Sequence, residues 1–235
     1  LRYGINTKDL MVNIVTSYHD IDKLTPLTDA LLKGFPEITS LVNNVNTRKA
    51  DVAFGESETL LYGEPSIKEK LGNLTFEISA NSFFQTNTAQ GEILYQEIKD
   101  AINLKGDEIL YDLYCGTGTI GLYLSKKAKK VYGFEVIRSA LEDAEKNAIR
   151  NDISNVIFIK ANLDTFFKSG QLPKRVPKPD VMVVDPPRAG MHEDMTNYLP
   201  KLGARKIIYV SCNPTTQARD AKILNAYGYR ISSST

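Results

Sequence analysis

The chain has 235 residues, 42% of them hydrophobic and 24% charged, and its formal net charge is +1. This composition indicates a globular protein of one large or two modest domains, and it excludes the global basic field of a non-specific nucleic-acid binder. Two cysteines are too few for a disulfide framework. No run is long enough to span a membrane, and the first residues lack a signal-peptide pattern. We therefore expect a monomer in the reducing cytoplasm, with no membrane contact.

Both ends of the sequence resemble internal positions of a protein. The chain starts at Leu1 and stops in the stretch YGYRISSST, where residues 229–232 predict the opening of a strand. We expect the chain to be a piece of a longer protein, with the partner of that strand lying beyond Thr235.

Residues 1–79 predict a small α+β domain. The stretch DLMVNIVTS alternates like a strand, PLTDALLKGF has a helical pattern, and ITSLVNNVN and NLTFEIS predict further strands.

Residues 80–235 predict a Rossmann-like domain with a doubly wound, mainly parallel sheet, cut at its C-terminal side. Strands are expected at residues 109–113 and within KKVYGFEV, NVIFIKAN, DVMVVDPP and KIIYVSC, with helical stretches between them. One helix is expected to start at a capping box formed by Ser139 and Glu142 and to bury Leu141, Ala144 and Ala148. Ligands bind at the carboxyl ends of such strands, where the sequence places Cys115, Glu135, Asn162, Asp185 and Cys212.

The pattern Asp112-x-x-x-Gly116-x-Gly118 follows the first of these strands, and Glu135 ends the second. The glycines allow close approach of the backbone to a ligand, and an acid at the second strand can accept hydrogen bonds from ribose hydroxyls. This combination favours an adenosine-type cofactor, here S-adenosylmethionine (SAM), over a tight turn without a ligand.

The stretch DPPRAG places Asp185 at the end of the fourth strand of this domain, before a stiff turn of two prolines. Amino-methyltransferases that act on bases have a similar turn, followed by an aromatic residue. Arg188 follows here, which argues against amino methylation and leaves Asp185 free to bind cofactor or substrate.

Cys212 follows the fifth strand of the domain and precedes a helix start at Asn213-Pro214. A thiolate is a potent nucleophile. Its addition to carbon 6 of uracil makes carbon 5 nucleophilic enough to accept a methyl group. The alternative is that Cys212 is a small buried hydrophobic residue.

Five stretches together resemble the RNA uracil-5 methyltransferase family, which modifies transfer RNA and 23S ribosomal RNA: SFFQTNTAQ, DLYCGTGTIGL, VYGFEV, VDPPRAG and IIYVSCNPTTQARD. The resemblance implies that Cys212 is the covalent nucleophile and that Cys115 packs near the cofactor. It also implies that SAM is bound by Gln85, Tyr114, Glu135, Asn162 and Asp185, and that the small domain of residues 1–79 faces RNA.

The sequence differs from the family pattern in three respects. The 235 residues do not include the small RNA-binding barrel that opens many members, and two cysteines cannot hold the iron–sulfur cluster of some members. The resemblance implies that the family's general base, a glutamate, lies in a segment beyond Thr235, so we expect this piece not to turn over. His19 and His192 are isolated and indicate no metal site.

We expect methylation of carbon 5 of a uridine in structured RNA, with 23S ribosomal RNA as the first candidate and transfer RNA as the second. Cytosine-5 methylation uses the same thiol chemistry, and a non-catalytic RNA-binding module with a residual SAM site is a further alternative. One of Phe83 and Phe84 is expected in the core. The Pro/Lys-rich loop of residues 168–180 is expected to be a solvated linker, with an RNA contact as the alternative.

Overall fold

The computed structural model describes residues 1–47, 55–166 and 176–234. The chain forms two compact units, Leu1–Ile93 and Leu94–Thr235, so the division falls inside a helix rather than at the predicted boundary of residues 79 and 80. Most of the Pro/Lys-rich loop, residues 168–175, lies outside the described residues.

The described part of the first unit contains a sheet and a hairpin. The sheet has the order β1 (Arg2–Tyr3), β2 (Leu10–Thr16), β3 (Ser40–Val45) and β4 (Ser57–Gly63). Strands β2 and β3 are parallel, and the other two pairings are antiparallel. The hairpin joins β5 (Ser66–Leu71) to β6 (Leu74–Ser79).

Helix α1 (Ile21–Gly34) lies between β2 and β3 in the chain, and α2 (Thr88–Ile102) follows the hairpin. Helix α1 begins earlier than the sequence pattern predicted, because the Asp20 side chain accepts a hydrogen bond from the Lys23 backbone N–H at 3.2 Å and caps it. Alternating residues of the hairpin, among them Ile67, Phe76 and Ile78, are buried in the core of this unit.

Five parallel strands form the sheet of the described second unit. They are β7 (Ile109–Leu113), β8 (Lys130–Glu135), β9 (Val156–Lys160), β10 (Val181–Val184) and β11 (Lys206–Tyr209), in the spatial order β11-β10-β7-β8-β9. Strands β8 and β9 lie on one side of β7, and the next two strands in the chain, β10 and β11, lie on its other side. The order therefore reverses between β7 and β10, where sheets of this kind have their ligand crevice.

The connections between these strands are helical. They contain α3 (Thr119–Leu124), α4 (Arg138–Arg150), α5 (Leu163–Phe166) and α6 (Glu193–Tyr198), with 3₁₀ turns at Ser125–Lys127 and Leu199–Leu202. Helix α7 (Pro214–Ala226) follows β11. Strand β10 is buried along its whole length, and Tyr111 and Phe134 are among the largest fully buried side chains. Continuous burial is typical of a parallel sheet covered on both faces. The predicted fold class, a Rossmann-like domain preceded by a small α+β unit, is confirmed.

The predicted capping box at Ser139 is wrong. Helix α4 begins at Arg138, its N-cap residue Ile137 makes no side-chain cap hydrogen bond, and Ser139 lies in the first turn. Glu142 accepts a hydrogen bond from Arg138 Nε at 2.9 Å, so an i,i+4 ion pair takes the place of the cap. The predicted buried face of Leu141, Ala144 and Ala148 is confirmed.

The strand predicted at residues 229–232 is not formed among the described residues. Helix α7 ends at Ala226, and the chain then turns. The Tyr229 hydroxyl donates to the Ala204 carbonyl, and its backbone N–H donates to the Leu224 carbonyl at 3.3 Å. A strand requires a ladder partner, and this segment has none in the described part of the chain. No described helix is both long enough and apolar enough to cross a membrane.

Candidate active site

The site residues predicted in the second unit lie at one edge of its sheet. Strand register places Leu113, Phe134, Val184 and Tyr209 in a single row across β8, β7, β10 and β11. The residues that come directly after this row therefore share the carboxyl edge. They are Tyr114, Glu135 and Asp185, with Cys212 three positions beyond Tyr209.

The loop after β7 has left-handed backbone at three positions, with φ of +62° at Tyr114, +53° at Gly116 and +77° at Gly118. A Cβ atom added at Gly116 would meet no described atom within 4 Å, whereas one at Gly118 would lie 2.7 Å from the Phe158 ring. Gly116 therefore borders open space in which a ligand can approach the backbone, and Gly118 is required for packing.

Glu135 holds this glycine loop against the end of β8. Its Oε2 accepts a hydrogen bond from the Gly116 N–H at 3.0 Å. Its Oε1 accepts from the backbone N–H groups of Val136 at 2.7 Å and Ile137 at 2.9 Å. A carboxylate oxygen can accept two hydrogen bonds, so Oε2 retains capacity for a ligand hydroxyl.

Asp112 is a site residue that the sequence analysis did not assign. Its side chain is 1% exposed, and its Oδ2 accepts from the Gly121 N–H at 2.8 Å. Its Oδ1 is buried without a hydrogen-bond partner among the described residues. Burial raises the pKa of Asp112 to about 7, with a smaller contribution from the charges of Asp185 and Glu135. The acid was visible at the start of the glycine pattern, but its complete burial depends on the tertiary structure.

Asp185 adds a third carboxylate to this edge. Its backbone N–H donates to the Leu113 carbonyl at 3.3 Å, and burial raises the pKa of its carboxyl to about 6. The Tyr95 hydroxyl donates to Thr119 Oγ1 at 3.0 Å, and burial, with a contribution from Asp185 and then Asp112, raises the Tyr95 pKa. Carboxylates gathered at one edge of the sheet favour a cationic ligand.

The two cysteines have different environments. Cys115 is 6% exposed, and burial raises the pKa of its thiol well above the usual value. A Cβ atom at Gly133 would lie 3.0 Å from Cys115 Sγ, so the thiol is packed against strand β8. Cys212 is exposed. A buried thiol is chemically inert and an exposed one is available to react, so this edge presents Cys212.

Local hydrogen bonds shape the Cys212 segment. Ser211 Oγ accepts from the Asn213 N–H at 3.0 Å. Asn213 Oδ1 accepts from the Thr215 N–H at 3.1 Å and caps α7, with Pro214 as the first helical residue. Cys212 therefore lies between two residues whose side chains are engaged with the backbone.

The two remaining predicted cofactor residues follow other elements. Asn162 is exposed after β9, and its carbonyl accepts from the Thr165 N–H at 3.1 Å. Gln85 belongs to the first unit, between β6 and α2. Nearby, Phe84 is 6% exposed and packs on Phe76 with ring centroids 5.7 Å apart, while Phe83 is 63% exposed. The prediction that one of the two phenylalanines lies in the core is confirmed.

Comparison with known proteins gives consistent matches. Residues 63–233 match the family described as tRNA (Uracil-5-)-methyltransferase. An uncharacterized RNA methyltransferase of Chlorobaculum tepidum is 47% identical over 99% of this chain and 48% of its own length. A second one, from Enterococcus faecalis, is 42% identical over 97% of this chain and 50% of its own length.

A solved structure covers the same range. The tRNA (uracil-54, C5)-methyltransferase of Pyrococcus abyssi, in complex with S-adenosyl-L-homocysteine, is 35% identical with a TM-score of 0.77. The match covers 99% of this chain and 53% of that protein. The chain thus spans about half the length of the curated relatives it matches. Since the family match includes more than half of the chain, the chain belongs to the tRNA (uracil-5-)-methyltransferase family.

Proposed function

We propose that the protein methylates carbon 5 of a uridine in structured RNA, with SAM as methyl donor and Cys212 as covalent nucleophile. One observation supports this most strongly: the exposed Cys212 and the carboxylate of Asp185 follow two neighbouring parallel strands, at the edge that also carries the glycine loop and Glu135.

The residues at this edge suit SAM. The open space beside Gly116 admits a ligand close to the backbone, and Glu135 Oε2 can accept a ribose hydroxyl. SAM carries a net positive charge, which the carboxylates of Glu135 and Asp185 at this edge favour. The relative from Pyrococcus abyssi was solved with S-adenosyl-L-homocysteine.

The residues proposed to hold the cofactor are Gln85, Tyr114, Glu135, Asn162 and Asp185. Of these, Gln85 and Asn162 are proposed from the family resemblance, and the other three also from their place at the sheet edge. When bound, SAM supplies the electrophilic methyl group that an activated carbon 5 accepts.

Cys212 supplies the activation. Its thiolate adds to carbon 6 of uracil and forms an S–C6 bond, and the C5=C6 π electrons move to the enolate at oxygen 4. Carbon 5 thereby becomes a nucleophile. After methylation, removal of the carbon 5 proton by a base restores the C5=C6 bond, and the S–C6 bond breaks to return the Cys212 thiolate. Atoms and charge balance over the cycle.

The identity of the RNA is a separate part of the proposal. We propose 23S ribosomal RNA as the first candidate, and the 35%-identical tRNA methyltransferase from Pyrococcus abyssi supports transfer RNA as the second. Selection between them depends on surface shape and contacts to unpaired bases.

Mapping of 5-methyluridine in transfer RNA and 23S ribosomal RNA, with and without the gene, tests the proposal. We expect one or more uridines to lose the modification in the deletion strain and to regain it with the wild-type gene but not with Cys212→Ala. Loss of 5-methylcytidine instead would support the cytosine-5 alternative. Full modification in both strains would refute the proposed activity.

A further inference from the structure

Two loops at the carboxyl edge are joined by hydrogen bonds near Cys212. The loop after β10 presents the Arg188 carbonyl, which accepts from Asn213 Nδ2 at 3.1 Å and from Thr216 Oγ1 at 3.3 Å. Asn213 is the residue directly after Cys212 and the N-cap of α7. The loop that follows Asp185 is therefore attached to the first turn of the helix that follows Cys212.

Asp220, about two helical turns after Asn213 on α7, makes a second attachment. Its side chain is 0% exposed. Its Oδ2 accepts from the Tyr209 hydroxyl at 2.6 Å and from the Met191 N–H at 2.9 Å, and its Oδ1 accepts from Arg219 Nε at 2.8 Å. One buried carboxylate thus contacts the end of β11, the loop after β10 and its own helix.

Arg219 reinforces the same attachment. Its Nη2 donates to the carbonyls of Ala189 at 3.1 Å and Met191 at 3.0 Å. Between them, Gly190 has φ of +77°, and a Cβ atom there would lie 2.6 Å from Arg219 Nη2 and 2.8 Å from Asp220 Oδ2. Only glycine fits at this position, because the charged pair fills the space against the turn.

Both ends of the short Cys212 segment are consequently fixed. At its start, the Tyr209 hydroxyl donates to Asp220 and the Tyr209 carbonyl accepts from Gln217 Nε2 at 3.0 Å. At its end, Asn213 is held by the Arg188 carbonyl. Covalent attack requires the reacting atoms to be held closely, and a displacement of about 1 Å can reduce a rate by roughly a hundredfold.

We propose that Asp220 is a positioning residue, which holds the end of β11 and the loop after β10 on α7 and so sets the place of the Cys212 thiol relative to Asp185. This inference rests on the proposed function. Asp220 itself is buried under the segment and touches no reacting atom; it acts through Tyr209, Arg219 and the backbone of Met191.

Asp220→Asn in the full-length protein tests the inference. Asparagine keeps the size of the side chain but loses the charge and one acceptor oxygen, so the three bonds cannot all persist. The measurement is the rate at which Cys212 forms a covalent adduct with RNA that carries 5-fluorouridine, at saturating RNA and SAM. We expect this rate to fall by about ten- to a hundredfold, while the dissociation constants for SAM and RNA stay near their wild-type values.

Two further variants separate positioning from stability. Asp143→Asn changes another buried acid, on helix α4. The Asp143 Oδ1 atom lies 3.7 Å from Lys146 Nζ. It should leave the adduct rate unchanged at temperatures well below its unfolding midpoint. Tyr209→Phe removes one hydrogen bond to Asp220 and keeps the ring, so its adduct rate should fall less than that of Asp220→Asn. If Asp220→Asn does not fold, Tyr209→Phe decides, and an unchanged rate overturns the inference.

Each outcome is informative. Wild-type adduct rates in both a folded Asp220→Asn protein and Tyr209→Phe would show that Asp220 contributes only to stability, since asparagine alone can keep the two bonds to Oδ2. An equal loss of adduct rate in Asp143→Asn would also overturn the inference, because any loss of a buried acid would then suffice. Absence of any adduct in the wild-type protein would instead refute the proposed function, and the positioning role with it.

Discussion

The backbone N–H of Gly116 donates a hydrogen bond to Glu135 Oε2 at 3.0 Å, which joins the glycine loop after β7 to the end of β8. The two residues are far apart along the chain, and the parallel pairing of β7 with β8 brings them together. The contact holds in place both Gly116 and Glu135, which we propose to contact the cofactor.

Glu135→Ala should weaken SAM binding. Loss of a charged acceptor from a partly buried site costs about 1.5 to 3 kcal/mol, which corresponds to roughly ten- to a hundredfold in dissociation constant. Calorimetric titration with SAM measures the change. Glu142→Ala is the control, because Glu142 is an exposed acid on α4 that pairs with Arg138. Equal SAM affinity in wild type and Glu135→Ala would contradict the assignment.

Gly116→Ala and Gly118→Ala should have different consequences. At Gly116 the new methyl group meets no described atom within 4 Å, so stability should fall only by the left-handed strain of about 1–2 kcal/mol. SAM affinity should fall at least about tenfold, because the methyl group occupies the space proposed for the ligand.

At Gly118 the methyl group would lie 2.7 Å from the Phe158 ring. Overpacking should therefore lower the free energy of unfolding by about 1–3 kcal/mol beyond the loss caused by the left-handed strain. Urea denaturation and SAM titration of both variants separate the two effects. Gly106→Ala is the matched control, because Gly106 also has positive φ, +106°, and open space around it, but lies before β7. A Gly116→Ala variant that binds SAM like wild type would exclude close approach at this loop.

With RNA that carries 5-fluorouridine, carbon 5 has no proton for a base to remove, so the covalent adduct of the wild-type protein should persist. Cys212→Ala should form no such adduct. Cys115→Ala should still form it, because Cys115 is buried and Cys212 is exposed. Mass spectrometry of the digested adduct identifies the modified residue. Modification mapped to Cys115 would overturn the assignment of the nucleophile.

The buried carboxyl of Asp112 should make stability depend on pH. Its folded pKa of about 7 lies above the value for an unfolded chain, so the protonated form is favoured by folding. This contribution is fully present below about pH 4 and is lost as the pH rises through about 7, a change of up to roughly 4 kcal/mol.

Asp112→Asn cannot ionise, so its free energy of unfolding relative to wild type should rise between pH 5 and pH 8. Urea denaturation at several pH values measures this difference. A difference that is constant over the range would show that Asp112 is not protonated in the folded protein.

Much of this protein could be predicted from local patterns in its sequence. Strands of the second unit form at the apolar runs that lead to Glu135, to Asp185 and to the segment before Cys212. Such runs could be recognised because strand periodicity and turn residues are features of a few neighbouring positions. The same order of motifs placed Cys212 and Glu135 at one edge of the sheet, since parallel strands present all their carboxyl ends together.

The tertiary structure decided what depends on approach between distant segments. Ser139 does not cap its helix, because the N-cap is Ile137, two residues earlier, and Glu142 pairs with Arg138. The pKa of Asp112 is set by burial. Asp220 acquires its role only where α7 meets the loop after β10. Desolvation and hydrogen bonds between segments require atoms brought together by folding, and no periodicity in the sequence encodes those distances.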